Sequence, residues 1–328
     1  MLYFCKTIRF LCFLALFSML VSGFGQSPIG TRNHRALSLL FYRFLPAKNS
    51  LKAGEEEWSF SYTNANDFRI VMENDKTKLI ENYEISRFVT EYRKAIGKRS
   101  EIFVEIPLVF RGSGFMDSVI RWWHDAIIGW DGDPRIGFSD GETRVFLEGE
   151  YDVRSGEGVG DIAVGYRYDV SDSLVLRSAL EIPTGNPTEL LGSGNFDFGL
   201  AIDAKFELFP RMTLLGQFAL IHQGRGGEVY EAEPFARQEL VALVYKAGPT
   251  TEWVLQWSRE SSPTRTGIEG IDEPHRLLTF GYRRYYSNGT WMEIFMSENG
   301  DFLYSTLPRI LGIGPDVTFG LRYGGIKN

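Results

Sequence analysis

Cysteine is all but missing from this chain. Cys5 and Cys12 are the only two in 328 residues, and both fall in an N-terminal apolar stretch. Beyond them no thiol remains for a disulfide or a sulfur-ligated metal, which excludes a small disulfide-stapled secreted domain. Histidine is scarce as well: His34, His124, His222 and His275 are far apart, and no two have metal-ligand spacing. None begins the His-x-Ser spacing that would put base and nucleophile on one strand face, so no enzymatic activity is expected, nor any cofactor. Lys and Arg number 35 against 42 Asp and Glu, for a net charge of -7, which speaks against a nucleic-acid partner. The Arg-Gly pieces around Arg225 lack the strand-to-helix context of a phosphate cradle. After residue 25 no apolar run approaches the ~20 residues of a membrane-crossing helix.

The first 25 residues stand apart. Lys6 and Arg9 form a short positive region, residues 10–21 an apolar run, and Ser22, Gly23 and Gly25 a small-residue end. That is the layout of a secretory signal peptide. Cleavage is expected near Gly25; it removes both cysteines and two cations and leaves the mature chain at -9, against -7 for the whole.

What the whole chain has in quantity is aromatic side chains, 14%, and glycine, 35 residues. It also has short stretches of period-two alternation. Asp197, Asp203, Lys205 and Glu207 interleave with Phe198, Leu200, Ile202, Phe206 and Leu208, giving one apolar face and one charged or small. Such a strand serves either a soluble sandwich or a barrel with lipid outside and water inside. The connections favour the barrel. Short turns at 94–99, 171–173, 209–211, 246–250 and 287–289 alternate with longer loops at 73–78, 111–158, 183–195, 223–234, 261–274 and 298–315. That is the asymmetry between periplasmic turns and extracellular loops. The fold class is therefore all-β: a single transmembrane antiparallel β-barrel of about twelve strands. The strands are expected at 57–67, 79–92, 100–110, 159–169, 174–182, 196–208, 212–221, 235–245, 251–259, 275–286, 290–297 and 316–323. Trp58, Tyr62, Tyr166, Tyr168, Trp253, Trp257, Tyr282, Tyr285, Tyr286 and Trp291 lie near strand ends and are expected in the two interfacial girdles. The domain reading is a signal peptide over 1–25, an N-terminal periplasmic segment or plug over 26–56, and the barrel over 57–328.

Three stretches carry a family resemblance. They are Thr31-Arg32-Asn33-His34-Arg35 with Leu45-Pro46-Ala47, Gly114-Phe115-Met116-Asp117 with Trp122-Trp123-His124, and Gly158-Val159-Gly160-Asp161 with Pro183-Thr184-Gly185. Together they resemble the proteobacterial outer-membrane β-barrel family catalogued as domain of unknown function 3187 (DUF3187). The last pair is also similar to barrels proposed to carry hydrophobic aromatic compounds. The resemblance implies a barrel in the Gram-negative outer membrane and supplies no catalytic or binding residue.

Three sets of residues are candidates for function. In the loop at 111–158, Met116, Val119, Ile120, Trp123, Ile127 and Trp130 recur at spacings of three and four, which predicts a short amphipathic helix. Asp117 is placed to cap it and Gly129 to end it. This set is a gate folded into the mouth, the lining of an apolar entry pocket, or a helix on the membrane surface; a plain packing helix is the structural alternative. The second half of that loop, 143–153, is expected to form a hairpin above the membrane. The inferred lumen carries Glu105, Asp161, Arg167, Arg177, Glu181, Asp197, Asp203, Lys205, Glu207, Glu239, Glu252, Arg283, Glu293 and Arg322. Their mixed signs suit either a polar conduit or a bore filled by ion pairs. The segment at 32–46 is expected to tuck into the periplasmic end as a plug or to cover the first strand. The function expected is passive passage of a small, possibly hydrophobic molecule, the alternative being a scaffold or a receptor acting through its loops. Expected partners are outer-membrane lipids, the barrel-assembly machinery and the solute.

Overall fold

The computed structural model describes residues 26–123, 142–224, 232–268, 271–300 and 317–327. In chain order these residues hold α1 (Ala36–Leu39), β1 (Glu56–Glu73), β2 (Lys76–Ala95), β3 (Ser100–Gly112), α2 (Met116–Trp123), β4 (Arg144–Leu147), β5 (Tyr151–Val153), β6 (Gly156–Val159), β7 (Ile162–Ser171) and β8 (Leu174–Ile182). There follow β9 (Asp197–Phe209), β10 (Met212–His222), β11 (Phe235–Lys246), β12 (Thr251–Glu260), β13 (His275–Tyr285), β14 (Thr290–Asn299) and β15 (Val317–Lys327). β1–β3 and β7–β15 make a closed antiparallel barrel of 12 strands. Closure comes from β1 and β15, paired from Glu56↔Lys327 to Asn66↔Val317. The β4–β5 hairpin expected over 143–153 extends the upper part of β2, and β6 continues the β7 position along the upper part of β3.

Alternation sorts the residues as a lipid-facing barrel demands. Phe60, Phe88, Ile106, Leu200, Leu255, Phe280 and Leu321 point outward and are 41–55% exposed. Glu81, Glu91, Glu293, Arg283 and Arg322 point inward and are buried. A soluble sandwich would reverse that polarity, because exposed apolar surface on this scale costs free energy in water. In a bilayer the same surface is at home, and closure leaves no unpaired strand edge at membrane depth.

Three expectations need correction. The loop at 73–78 is a tight turn: β1 and β2 run on past the membrane level to Glu73 and Lys76, joined by Asn74 and Asp75 at φ 50° and 60°. Asn and Asp tolerate that left-handed conformation, and alternation continues on both sides, so loop length alone misread the hairpin. Short and long connections therefore do not alternate at every position. Second, the strand at 159–169 is broken at Gly160 and Asp161, where the register against β3 slips by one residue opposite Pro107. Third, three side chains sit on the other face of the wall. Glu239 points outward and pairs with Arg259, while Trp291 and Tyr285 point inward, donating to Glu57 and Glu252. β11 has apolar residues on both faces, so its alternation alone did not identify the lumenal side.

A cation placed in the apolar band tests this orientation. Leu255→Arg is expected to lower folding stability in lipid vesicles by about 2–4 kcal/mol. A change within ~0.5 kcal/mol, the ordinary size of a surface substitution, would mean that this face does not meet acyl chains.

Candidate functional site: a chain segment inside the barrel

The barrel has no continuous open bore among the described residues, because residues 26–51 pass through it twice. The ascending leg starts at the short-turn end, where Arg283 donates from Nη1 to the Ser27 carbonyl (2.9 Å) and from Nη2 to that of Pro28 (2.8 Å). Farther up, the Ile29 N–H donates to Gln256 Oε1 (2.9 Å) and the Asn33 N–H to Glu260 Oε1 (3.3 Å). α1 forms the apex, with the Ala36 N–H on the Tyr83 hydroxyl (2.8 Å). On the way down the Tyr42 N–H donates to Asp197 Oδ2 (2.9 Å). The Phe44 and Leu45 carbonyls accept from Gln238 (2.8 Å) and Arg177 (2.7 Å). The descending leg ends near the periplasmic rim, where Arg93 holds the Asn49 carbonyl (2.7 Å) and Glu101 Oε1 accepts from the Leu51 N–H (2.6 Å).

Side chains fill the space around this chain hairpin in two ways. Toward the extracellular end Leu37, Leu40 and Phe41 pack with Leu79, Val109, Val145, Leu147 and Leu191. Halfway down, Tyr42 and Phe44 lie edge to face, 4.9 Å apart, against Ala163, Ala179, Ala201, Ala219 and Ala236. Gly199 completes this recess: a Cβ there would lie 2.6 Å from the Phe44 ring and 3.3 Å from the Tyr42 ring. On the other side of the bore the fit is ionic. Arg35 is fully buried, 2.5 Å from Glu81 and 3.7 Å from Asp67. Arg93 bridges Glu57 (2.6 Å) and Glu101 (2.5 Å), and Lys48 reaches Glu91 (2.6 Å). Below the hairpin a periplasmic cavity of about 500 Å³ opens between its two legs, lined by Lys48, Arg93, Arg283, Trp291 and Arg322 among others.

Most of the inferred lumenal residues face this interior. Glu105, Arg167, Arg177, Glu181, Asp197, Asp203, Glu252, Arg283, Glu293 and Arg322 surround the hairpin, whereas Lys205 and Glu207 share the inward side but lie in the open at the periplasmic rim. Asp161 has a separate task. Its Oδ1 accepts from the Gly185 N–H and its Oδ2 from the Ser193 N–H, each at 2.8 Å, while Thr184 Oγ1 donates to the Gly160 carbonyl (2.8 Å). Gly158-Val159-Gly160-Asp161 and Pro183-Thr184-Gly185 thus meet in space, and the β8–β9 loop folds inward over the hairpin apex, bringing Leu190 and Leu191 with it.

The loop helix behaves differently from the lumen. Its described part, α2, starts on the outer wall: the Met116 N–H donates to Glu84 Oε2 (2.8 Å), and Asn66 donates to Asp117 Oδ1 (2.9 Å). Glu84 and Asn66 occupy outward positions, so this turn lies against the barrel's outside, with Phe115 and Trp122 exposed. Val119, Ile120 and Trp123 are on α2, but their side chains, like Ile127 and Trp130, lie outside the described residues. His124 does too. The β4–β5 hairpin is tied by exposed charges. Glu148 accepts from Lys78 and Asp152 from Arg144, and both carboxyls are held below their ordinary range by those hydrogen bonds.

The seating of the hairpin is testable with cysteine chemistry, since no cysteine follows Cys12. In a Leu37→Cys chain the thiol should resist a water-soluble thiol reagent. Adding Arg35→Met takes from Glu81 its nearest cation and leaves it Arg69 at 3.8 Å; loss of a buried pair is worth up to about 3–5 kcal/mol, and the change should expose the thiol while the barrel stays folded. Adding Gly199→Val should do the same through the Phe44 ring. Unchanged labelling in both would show that neither contact holds the segment.

Comparisons with known proteins agree with this architecture. No curated protein matches the sequence. Among solved structures, the COG4313 outer membrane channel from Pseudomonas putida F1 is similar at TM-score 0.56 and 13% identity, covering 85% of this chain and 97% of that one. The toluene transporters TodX of P. putida and TbuX of Ralstonia pickettii align at TM-scores of 0.41 and 0.43, with 11% and 7% identity. They cover 83% and 84% of this chain and 90% of each of theirs. The likeness in fold rests on the first of the three. The sequence profile of a protein family of unknown function, DUF3187, matches residues 5–307, which span the internal hairpin and nearly all of the barrel, and the chain therefore belongs to that family.

Proposed function

We propose that the protein is an outer-membrane channel for small apolar molecules, held shut by its own residues 26–51. The observation that carries this reading is the recess beneath Tyr42 and Phe44. Its wall is built from alanine and glycine on β7–β11, and two aromatic rings of the hairpin occupy it. Small residues on five neighbouring strands leave room for a flat apolar group, and the hairpin fills that room in the closed state. Drawing the hairpin toward the periplasm uncovers it, together with the apolar lining of Leu79, Val109, Leu147 and Leu191 above. A solute that binds the uncovered state better than the closed one shifts the equilibrium toward opening.

The remaining parts of the reading follow from the same architecture. Residues 1–25 direct export. The barrel-assembly machinery inserts the chain, aided by the outward aromatics Phe319 and Tyr323 of the last strand. α2 rests on the outer wall and steadies the long loop at the membrane surface.

The test compares the full chain with one lacking residues 26–51, both in planar bilayers and liposomes. The full chain should be nearly closed. The shortened chain should conduct ions and should admit a small aromatic hydrocarbon faster than an aliphatic polyol of equal size. A properly inserted shortened barrel that passes nothing would end the channel reading in favour of a scaffold whose interior is filled for rigidity alone.

A further inference from the structure

Gln26 stands where the export segment ends and the internal hairpin begins. Before it, Gly23-Phe24-Gly25 closes the apolar run with a small-x-small stretch, the arrangement that precedes a signal cleavage site. After it, the main chain is held from the next residue on. Arg283 binds the Ser27 and Pro28 carbonyls, and Gln256 accepts from the Ile29 N–H. Cleavage after Gly25 makes Gln26 the first residue of the mature chain and gives it a free α-amine beside its own side-chain amide.

The two ends of that amide are used unequally. Gln26 Oε1 accepts from the hydroxyl of Thr213, a buried inward residue of β10, and is the one partner of that hydroxyl among the described residues. Gln26 Nε2 has no hydrogen-bond partner among them. The setting also offers little to a charged chain end. An α-amine is an ammonium below about pH 7.7–8. Gln26 lines a periplasmic cavity of about 210 Å³ that has two carboxylates, Asp172 and Asp203. Asp203 is already held at two points by Arg177, 2.8 Å each, and Asp172 stands exposed in the turn between β7 and β8. An ammonium at Gln26 would have no carboxylate of its own there, whereas a neutral end needs none.

We propose that Gln26 is the N-terminal residue of the mature chain and closes into a pyroglutamyl lactam, so that the ascending leg begins with a neutral end. The α-amine nitrogen attacks Cδ of its own side chain. The N–Cδ bond forms, the Cδ–Nε2 bond breaks, and Nε2 leaves as ammonia with a proton from the amine. No oxidant, reductant or co-reactant takes part. The oxygen of the lactam is the former Oε1, the atom that Thr213 binds, and the atom lost is the unbonded Nε2. The terminal charge is removed in the same step. Closure belongs to the interval after the signal is removed and before the barrel encloses the hairpin, when the chain end is in water. This inference rests on the export reading of residues 1–25 and is independent of whether the barrel conducts.

The experiment expresses the chain with its full leader, takes it from outer membranes and digests it at once, and reads the N-terminal peptide by mass and fragmentation. The peptide should begin at Gln26 and be lighter than its linear form by one ammonia in nearly all of the chain. N-terminal sequencing of the intact chain should give no residue. After a pyroglutamyl aminopeptidase has acted on the unfolded chain, it should start at Ser27. A Gln26→Asn chain, one methylene too short for this ring, should keep a linear end that is open to sequencing. A linear Gln26 end in the wild type overturns the proposal. So does a lactam fraction that begins small and grows with storage, which marks cyclisation in the tube. A chain that starts at another residue, or keeps its leader, overturns it together with the export boundary. A failed conductance assay touches none of these outcomes, so the channel reading and this one fall separately.

Discussion

The structure depends on how a stretch of irregular backbone is kept at membrane depth. Peptide groups removed from water must find partners, and residues 26–51 have almost no secondary structure to supply them. The barrel wall supplies them with side chains. Arg283, Gln256, Asp197, Gln238, Arg177, Arg93 and Glu101 each bind a main-chain N–H or C=O of the hairpin. The charged lumen and the buried segment are thus one arrangement. Without the hairpin, the wall would present charges and amides to a bare bore. Without those side chains, the hairpin could not leave water.

This division of labour bears on opening. Each of these bonds contributes about 0.5–1.5 kcal/mol net of what water would offer in exchange, and more where a charge takes part. Several acting together exceed thermal energy many times over, so the hairpin stays seated, and under the proposed channel function opening needs something that favours the unseated state. Water entering a vacated bore can hydrate the charged side chains of the wall, which lie on β1–β3, β7–β9 and β12–β15. It does nothing for the alanine-lined recess on β7–β11. Under the proposed function the recess is therefore the part of the open interior that remains poorly solvated, and the part an apolar solute would gain most by covering.

Much of the barrel was legible in the sequence because a lipid-facing strand must alternate. β9 shows it plainly, with Asp197 and Asp203 against Phe198, Leu200 and Ile202. Where both faces of a strand are apolar, as on β11, the pattern loses its sign, and Glu239 was placed on the wrong side. Trp291 and Tyr285 were misplaced for a related reason: position near a strand end suggests a girdle, but parity decides the face, and here it aims both rings at lumenal carboxylates. The place of α2 did leave a trace. Asn64, Asn66, Asn82 and Glu84 fall on outward positions that lipid would punish, and a run of polar residues there marks wall covered by protein. The full depth of the hairpin left none, because much of what the wall binds in it is main chain, which has no sequence signature.

Barrel size explains why a chain segment is needed at all. The side chains of an eight-strand wall can meet across the axis, while sixteen strands enclose an aqueous channel. Twelve strands lie between. Their inward side chains are too short to close the bore and too numerous to leave unpaired in it. Two passes of extended chain supply the missing width, and α1 with the inward-folded β8–β9 loop supplies the roof. Any chain that fills such a gap must reach the wall on all sides, which is why Arg35, Arg43, Tyr42 and Phe44 are among the largest fully buried side chains in the molecule. Their length is set by the radius that the strand number imposes, and the same radius leaves room for a small molecule once they are withdrawn.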